Sequence, residues 1–213
     1  MIIASGKGTT AIFLSKLLGC RVVGVDLSEE MVRKARVTAE EERLSDRISF
    51  RRGDAERLPF NDQEFDVVIS ECSLCLFPTK KQALSEIYRV LKPGGTVAIS
   101  DVTMDGTQEE LQNVTLFASC VAGAESLKGL SFLLNEAGFQ NIMTLDRSDV
   151  VHELYEKYKD TIKSFKSLSE SLLCSFGDVK SAQLTESAKS LERLIQQRKL
   201  GYGIVLGKTK TVQ

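Results

Sequence analysis

From Met1 to about Leu145, short β-branched apolar runs alternate with amphipathic stretches, which predicts a mostly parallel sheet covered by helices on both faces. Strands are expected at Met1–Ala4, Arg21–Asp26, Ile48–Arg52, Phe65–Ser70, Thr96–Asp101 and Ile142–Leu145. Between them the apolar positions move to helical spacing. One helix is expected from Thr9 to Leu18. A second starts after Ser28, whose side chain suits an N-cap, carries Glu29 and Glu30 in the first turn where the dipole favours acids, and runs to about Arg43. A third covers Lys80 to Leu91 and should stop at Lys92-Pro93-Gly94-Gly95, a proline and two glycines that turn into the next strand.

After Leu145 the character changes. Residues Asp149 to Lys199 are rich in Lys, Glu, Ser and Leu, with Leu154, Tyr158, Ile162 and Phe165 at helical spacing. Two or three helices are expected there, broken at Phe176-Gly177-Asp178. Tyr202 to Lys208 then forms a last strand that returns antiparallel at the sheet's end. A helical insert at 149–199 between two strands of one sheet is expected to be a lid or a subunit contact, as in a homodimer.

With 213 residues, 42% of them hydrophobic and 27% charged, the chain suffices for one α/β domain spanning 1–213 and is too short for two full-sized ones. A formal net charge of -1 leaves no basic field for phosphate contacts, so no nucleic-acid partner is expected. The apolar runs are strand-length, far below the ~20 residues of a membrane span, and no basic-then-apolar leader opens the chain. A cytoplasmic protein with no membrane partner is the expectation. Five scattered cysteines make no disulfide framework, and Cys20 reads as a small buried hydrophobe. Because only three residues precede Ala4, upstream chain covering the pocket is expected to be missing.

The candidate chemistry begins at Ser5-Gly6-Lys7-Gly8, a turn between a strand and a helix. Gly6 and Gly8 remove side chains where backbone must approach a ligand, and the helix points its first amides at the same place. Asp26 ends the second strand, where an acid is placed to bind ribose hydroxyls. Asp54 follows the third strand; its carboxylate suits an adenine amino group while the next amide, of Ala55, suits a ring nitrogen. Beyond the fourth strand come Glu71, a candidate acid near the reacting group, and then Cys72 and Cys75. A single Cys-x-x-Cys with the only histidine, His152, far off in the insert makes no zinc site, and no metal is expected.

Five stretches appear in order: Ala4-Ser5-Gly6-Lys7-Gly8, Gly24-Val25-Asp26-Leu27-Ser28, Gly53-Asp54-Ala55 through Leu58-Pro59-Phe60, Phe65 to Ser70, and Tyr88-Arg89-Val90-Leu91-Lys92-Pro93-Gly94-Gly95. Together they resemble the class I S-adenosylmethionine-dependent methyltransferases, over roughly the first two thirds of the chain. The resemblance implies a Rossmann-like, doubly wound, mostly parallel seven-stranded sheet with an antiparallel last strand, and S-adenosyl-L-methionine as cofactor. It puts Ser5, Gly6 and Gly8 at the methionine moiety, Asp26 at the ribose, Leu27 on the adenine face, and Asp54 with Ala55 at the adenine edge. One position departs from the family pattern, since Ile2 stands where an acid usually contacts the cofactor's amino-acid part.

Within the class the chain is similar to the arsenite methyltransferases. That group places one cysteine after the fourth strand and another in a Cys-x-x-Gly-Ala stretch after the fifth; Cys72 and Ser119-Cys120-Val121-Ala122-Gly123-Ala124 fit the two places. Trivalent arsenic is soft and prefers thiolates, so the resemblance implies a small-molecule acceptor, thiolate-bound arsenite, held by Cys72 and Cys120. Two alternatives stay open: a carbon or oxygen methyltransferase of the quinone-biosynthesis type, and a cofactor-binding protein without turnover.

Overall fold

The computed structural model describes residues 1–106, 121, 123–159 and 189–211. Seven strands form one sheet in the order β3-β2-β1-β4-β5-β7-β6: β1 Ile2–Ile3, β2 Val22–Asp26, β3 Ile48–Arg52, β4 Phe65–Glu71, β5 Leu91–Met104, β6 Gln140–Asp146 and β7 Leu200–Lys208. β1 to β5 pair parallel, and β7 runs antiparallel to both of its neighbours. This is the mostly parallel sheet expected from the alternation and the doubly wound, Rossmann-like fold that the resemblance implies.

Alternation along β1 assigns its two side chains to different cores. Ile2 joins Ile12, Val32, Ala35, Ile48 and Phe50 beneath α1 (Thr9–Leu18) and α2 (Glu29–Glu41). Ile3 joins Val68, Val97, Leu84 and Ile87 on the opposite face, where α3 (Lys80–Val90) and α4 (Leu127–Glu136) pack. Ser28 caps α2 by accepting from the Met31 amide at 3.3 Å. Among the described residues no helix is long and apolar enough to cross a membrane.

Several expectations are corrected. β7 is not at the sheet's end: it lies between β5 and β6, pairing Thr96–Met104 on one side and Gln140–Asp146 on the other. Lys92-Pro93-Gly94-Gly95 does not separate helix from strand, because Leu91 already pairs with Phe65 and the four residues form an irregularity before Thr96 meets Val67. Gly94 makes this bend in the left-handed region, φ 75. Cys20 is exposed rather than buried. It follows Gly19, which caps α1 at the surface, so its position in the connection overrides its apolar character.

Of the insert, residues 148–159 and 189–196 are helical, and the expected break at Phe176-Gly177-Asp178 lies outside the described residues. Leu191, Leu194 and Ile195 pack with Met104, Val121 and Leu200, joining the end of the insert to β5 and β7.

Candidate functional site

The turn after β1 is fastened by backbone groups and one carboxylate. Ser5 N–H donates to the Val25 carbonyl at 2.9 Å, and Gly8 N–H donates to the Ser5 carbonyl at 2.9 Å. Asp26 Oδ2 accepts from Gly6 N–H at 2.8 Å, while its Oδ1 accepts from Ser28 N–H at 2.9 Å. A carboxylate offers about four lone-pair sites, so acceptor capacity remains beyond these two bonds.

The two loop glycines are required for different reasons. A Cβ on Gly8 would lie 2.4 Å from the Phe50 ring, and one on Gly24 would meet the same ring at 2.4 Å, so these glycines make room for Phe50 under the turn. A Cβ on Gly6 would meet nothing within 4 Å. Gly6 therefore presents open backbone, the cradle a ligand needs for close approach. Ser5 Oγ is buried without a hydrogen-bond partner. Ala4 holds a left-handed φ of 50 although it has a Cβ, a conformation costing on the order of 1 kcal/mol.

Two cavities meet at the end of β1 and share Ile3 and Ala4. One, of about 270 Å³, is bordered by Ser5, Gly6, Lys7, Thr9 and Glu71. The other, of about 280 Å³, is bordered by Asp26, Leu27, Asp54, Ala55, Leu76 and Phe77. Leu27 is 65% exposed, an apolar side chain left open at the cavity wall. Asp54 is exposed and its Oδ1 accepts from Glu56 N–H at 2.9 Å; Ala55 is buried. The predicted cofactor residues thus border this joined space, except Gly8, which serves the packing beneath it. Two adjoining spaces of similar size, open backbone at Gly6, an unpartnered hydroxyl and spare carboxylate acceptors make a cradle for an extended polar small molecule, to which the groups of S-adenosylmethionine are suited.

The loop from Leu58 to Asp62, which follows Asp54, is strapped by two residues whose roles the sequence did not reveal. Arg89 donates to the carbonyls of Leu58 at 3.1 Å and Phe60 at 2.8 Å, and pairs with Asp62 and Glu86 at 2.8 Å each. Glu86 also accepts from Leu58 N–H at 2.8 Å. The Arg89 guanidinium holds the Glu86 carboxyl below the usual range, outweighing the opposing effect of burial. Arg89 lies within a quoted motif; only its proximity to Leu58 across 31 positions discloses its function.

Beyond Glu71, Cys72 follows β4 in a left-handed conformation, φ 47, and is exposed. Its N–H donates to the Ser100 carbonyl at 2.8 Å, and its Sγ lies 3.5 Å from Tyr202 Oη on β7. Burial, then the contact with Cys72, pushes the Tyr202 phenol up to about 12. Tyr202 therefore remains protonated at neutral pH. Cys75 is buried, and its N–H donates to the buried Asp101 carboxylate at 2.9 Å. Asp101 ends the predicted fifth strand, the same edge position that singled out Asp26, so its position was a usable signal.

Cys120 and Cys174 lie outside the described residues. The stretch just after Cys120 is located at Gly123, where a Cβ would fall 1.8 Å from the Cys75 carbonyl oxygen. Met104 N–H also donates to the Glu125 carbonyl at 3.0 Å. His152, read as a helix-surface residue, borders a separate cavity of about 680 Å³ with Asp146, Arg147, Asp149, Glu153 and Arg198. That cavity shares no lining residue with the two at β1.

Compared with known proteins, residues 2–99 match a family model described as a methyltransferase domain. An arsenite methyltransferase of Halobacterium salinarum is 37% identical over 147 residues, 66% of this chain and 37% of that protein. A demethylmenaquinone methyltransferase of Lactiplantibacillus plantarum is 44% identical over 91 residues, 42% of this chain and 38% of that protein. The fold is similar to that of phosphoethanolamine N-methyltransferase 2 of Haemonchus contortus, solved with S-adenosyl-L-methionine, with a TM-score of 0.75 at 22% identity over 99% of this chain and 48% of that one. The chain spans less than two thirds of the length of each of these relatives.

Proposed function

We propose that this chain is a class I S-adenosylmethionine-dependent methyltransferase domain and that it methylates a small acceptor, with thiolate-held trivalent arsenic as that acceptor. The observation that carries the reading is the joined space at the end of β1, bordered on one side by the open Gly6 backbone and on the other by Asp26, Leu27 and Asp54. S-adenosylmethionine supplies an electrophilic methyl group on a sulfonium. The chain's own residues align it. Asp26 offers its remaining lone pairs to ribose hydroxyls, Leu27 covers an adenine face, Asp54 accepts from the adenine amino group, and the Ala55 amide donates to the ring. Ser5 and Gly6 face the methionine end. In-line displacement then asks the protein mainly to hold donor and nucleophile together and exclude water.

The metalloid reading assigns Cys72 and Cys120 as soft ligands on the acceptor side. It is supported by the arsenite methyltransferase relative and by Gly123, which seats the stretch after Cys120 against the turn that bears Cys72 and Cys75. The insert at 149–199, of which residues 149–159 and 189–199 are described, is assigned as a lid or a subunit contact. The test is arsenite binding and methylation by wild type, Cys72→Ser and Cys120→Ser, with S-adenosylmethionine binding as control. Both substitutions should abolish arsenite methylation and leave donor binding intact. A wild type that binds no arsenite, or two variants that bind it as wild type does, would remove arsenic and leave a general small-acceptor methyltransferase.

The demethylmenaquinone methyltransferase relative favours a second reading, a carbon acceptor of the quinone type. There neither serine variant would act selectively on turnover. Calorimetry with S-adenosylmethionine followed by product detection separates both readings from binding without turnover.

A further inference from the structure

The cavity beside the glycine turn has a charge arrangement that the donor's shape alone does not explain. Glu71 closes β4, and the parallel register that sets Ile3 beside Ser70 brings Glu71 next to Ala4, at the mouth of the turn. Lys7, exposed like Glu71, also borders this cavity, ahead of the first residues of α1, Thr9 and Thr10. Among the described residues, neither the Glu71 carboxylate nor the Lys7 ammonium takes part in a hydrogen bond or an ion pair. β1 itself offers no side-chain acceptor for a cation, because Ile2 is 3% exposed and packs with Ile12 and Val32. One carboxylate and one ammonium with a helix N-terminus, unpaired around a common space, form the complement of a zwitterion.

Resting on the donor reading above, we infer that Glu71 is a cofactor-binding residue that accepts the α-ammonium of S-adenosylmethionine, with Lys7 and the start of α1 taking the α-carboxylate. Glu71 is thereby removed from the reacting centre. It selects donors by their amino-acid end, whatever the acceptor is.

The experiment uses calorimetry on the full chain with three ligands: S-adenosylmethionine, its decarboxylated form, which keeps the ammonium, and 5′-methylthioadenosine, which lacks the amino-acid end. Glu71→Gln keeps the shape and removes the charge. It is expected to weaken the first two ligands about tenfold, the scale of a lost charge-assisted hydrogen bond, and to leave methylthioadenosine unchanged, which also reports that the variant is folded. Lys7→Ala is expected to weaken S-adenosylmethionine and spare its decarboxylated form. Equal weakening of all three ligands by Glu71→Gln, or of none, overturns the assignment. A wild type that binds methylthioadenosine but not S-adenosylmethionine also overturns it while leaving the adenosine side intact. Binding of none by wild type overturns the donor reading itself and this inference with it.

Discussion

Around Asp26 the ties join backbone amides to one carboxylate within the stretch from Gly6 to Ser28, whereas around Cys72 they cross three strands and reach 130 positions to Tyr202. The first region is local and built largely of main chain. Its side chains matter by being absent, as at Gly6, Gly8 and Gly24, or by filling the space below, as Phe50 does. The second is assembled from side chains on β4, β5 and β7; each region also holds one non-glycine residue in the left-handed conformation, Ala4 in the first and Cys72 in the second. A cofactor common to many chemistries can be bound by backbone, while an acceptor must be distinguished by particular side chains.

The sharpest way to break the contrast is to add one methyl group on each side. Gly8→Ala forces a Cβ into the Phe50 ring at φ 80. It should lower stability by roughly 3 kcal/mol in chemical denaturation and abolish S-adenosylmethionine binding. Gly123→Ala collides instead with the Cys75 carbonyl oxygen. We expect a stability loss of roughly 2 kcal/mol, retained S-adenosylmethionine affinity by calorimetry, and turnover reduced at least tenfold. If Gly123→Ala weakens the cofactor as much as Gly8→Ala does, the two sides are one mechanical unit and the contrast fails. The smallest effect is a gain. Ala4→Gly relieves the left-handed alanine and should stabilise the fold by roughly 0.5 kcal/mol, read from the denaturation midpoint.

This contrast also decides what could be read from the chain. Ile48–Arg52 was legible because apolar Ile48 and Phe50 alternate with polar Ser49 and Arg51, and the positions of Asp26 and Asp54 at the cavity because an acid at a strand's carboxyl end lies at the ligand edge by topology alone. The placement of β7 inside the sheet was not. Tyr202 to Lys208 carries a strand pattern, but nothing local says that it pairs with both β5 and β6. For the same reason Tyr202 was read only as the start of a strand, although its hydroxyl meets Cys72. The glycines show the limit in another way, since Gly6 and Gly8 look alike in sequence and only Phe50, from the third strand, separates their roles. Cys20 was misjudged because composition suggests burial for cysteine, while its place just after a helix-ending glycine puts it at the surface.

The inner position of β7 also has a consequence in time. While the chain is being synthesised, β5 and β6 are both made before Leu200; β5 can pair with β4 on one edge, but its other edge and β6 wait for the last strand. During that interval two strand edges, including the Thr96–Met104 ladder, stand open to pairing with other chains. Completion of the sheet is therefore a late event that depends on contacts of high sequence separation, and a nascent chain stalled within the insert is left with an aggregation-prone seam in its centre. A chain ended before Leu200 should therefore accumulate as insoluble material, and supplying residues 200–213 as a separate peptide offers a direct way to close the seam.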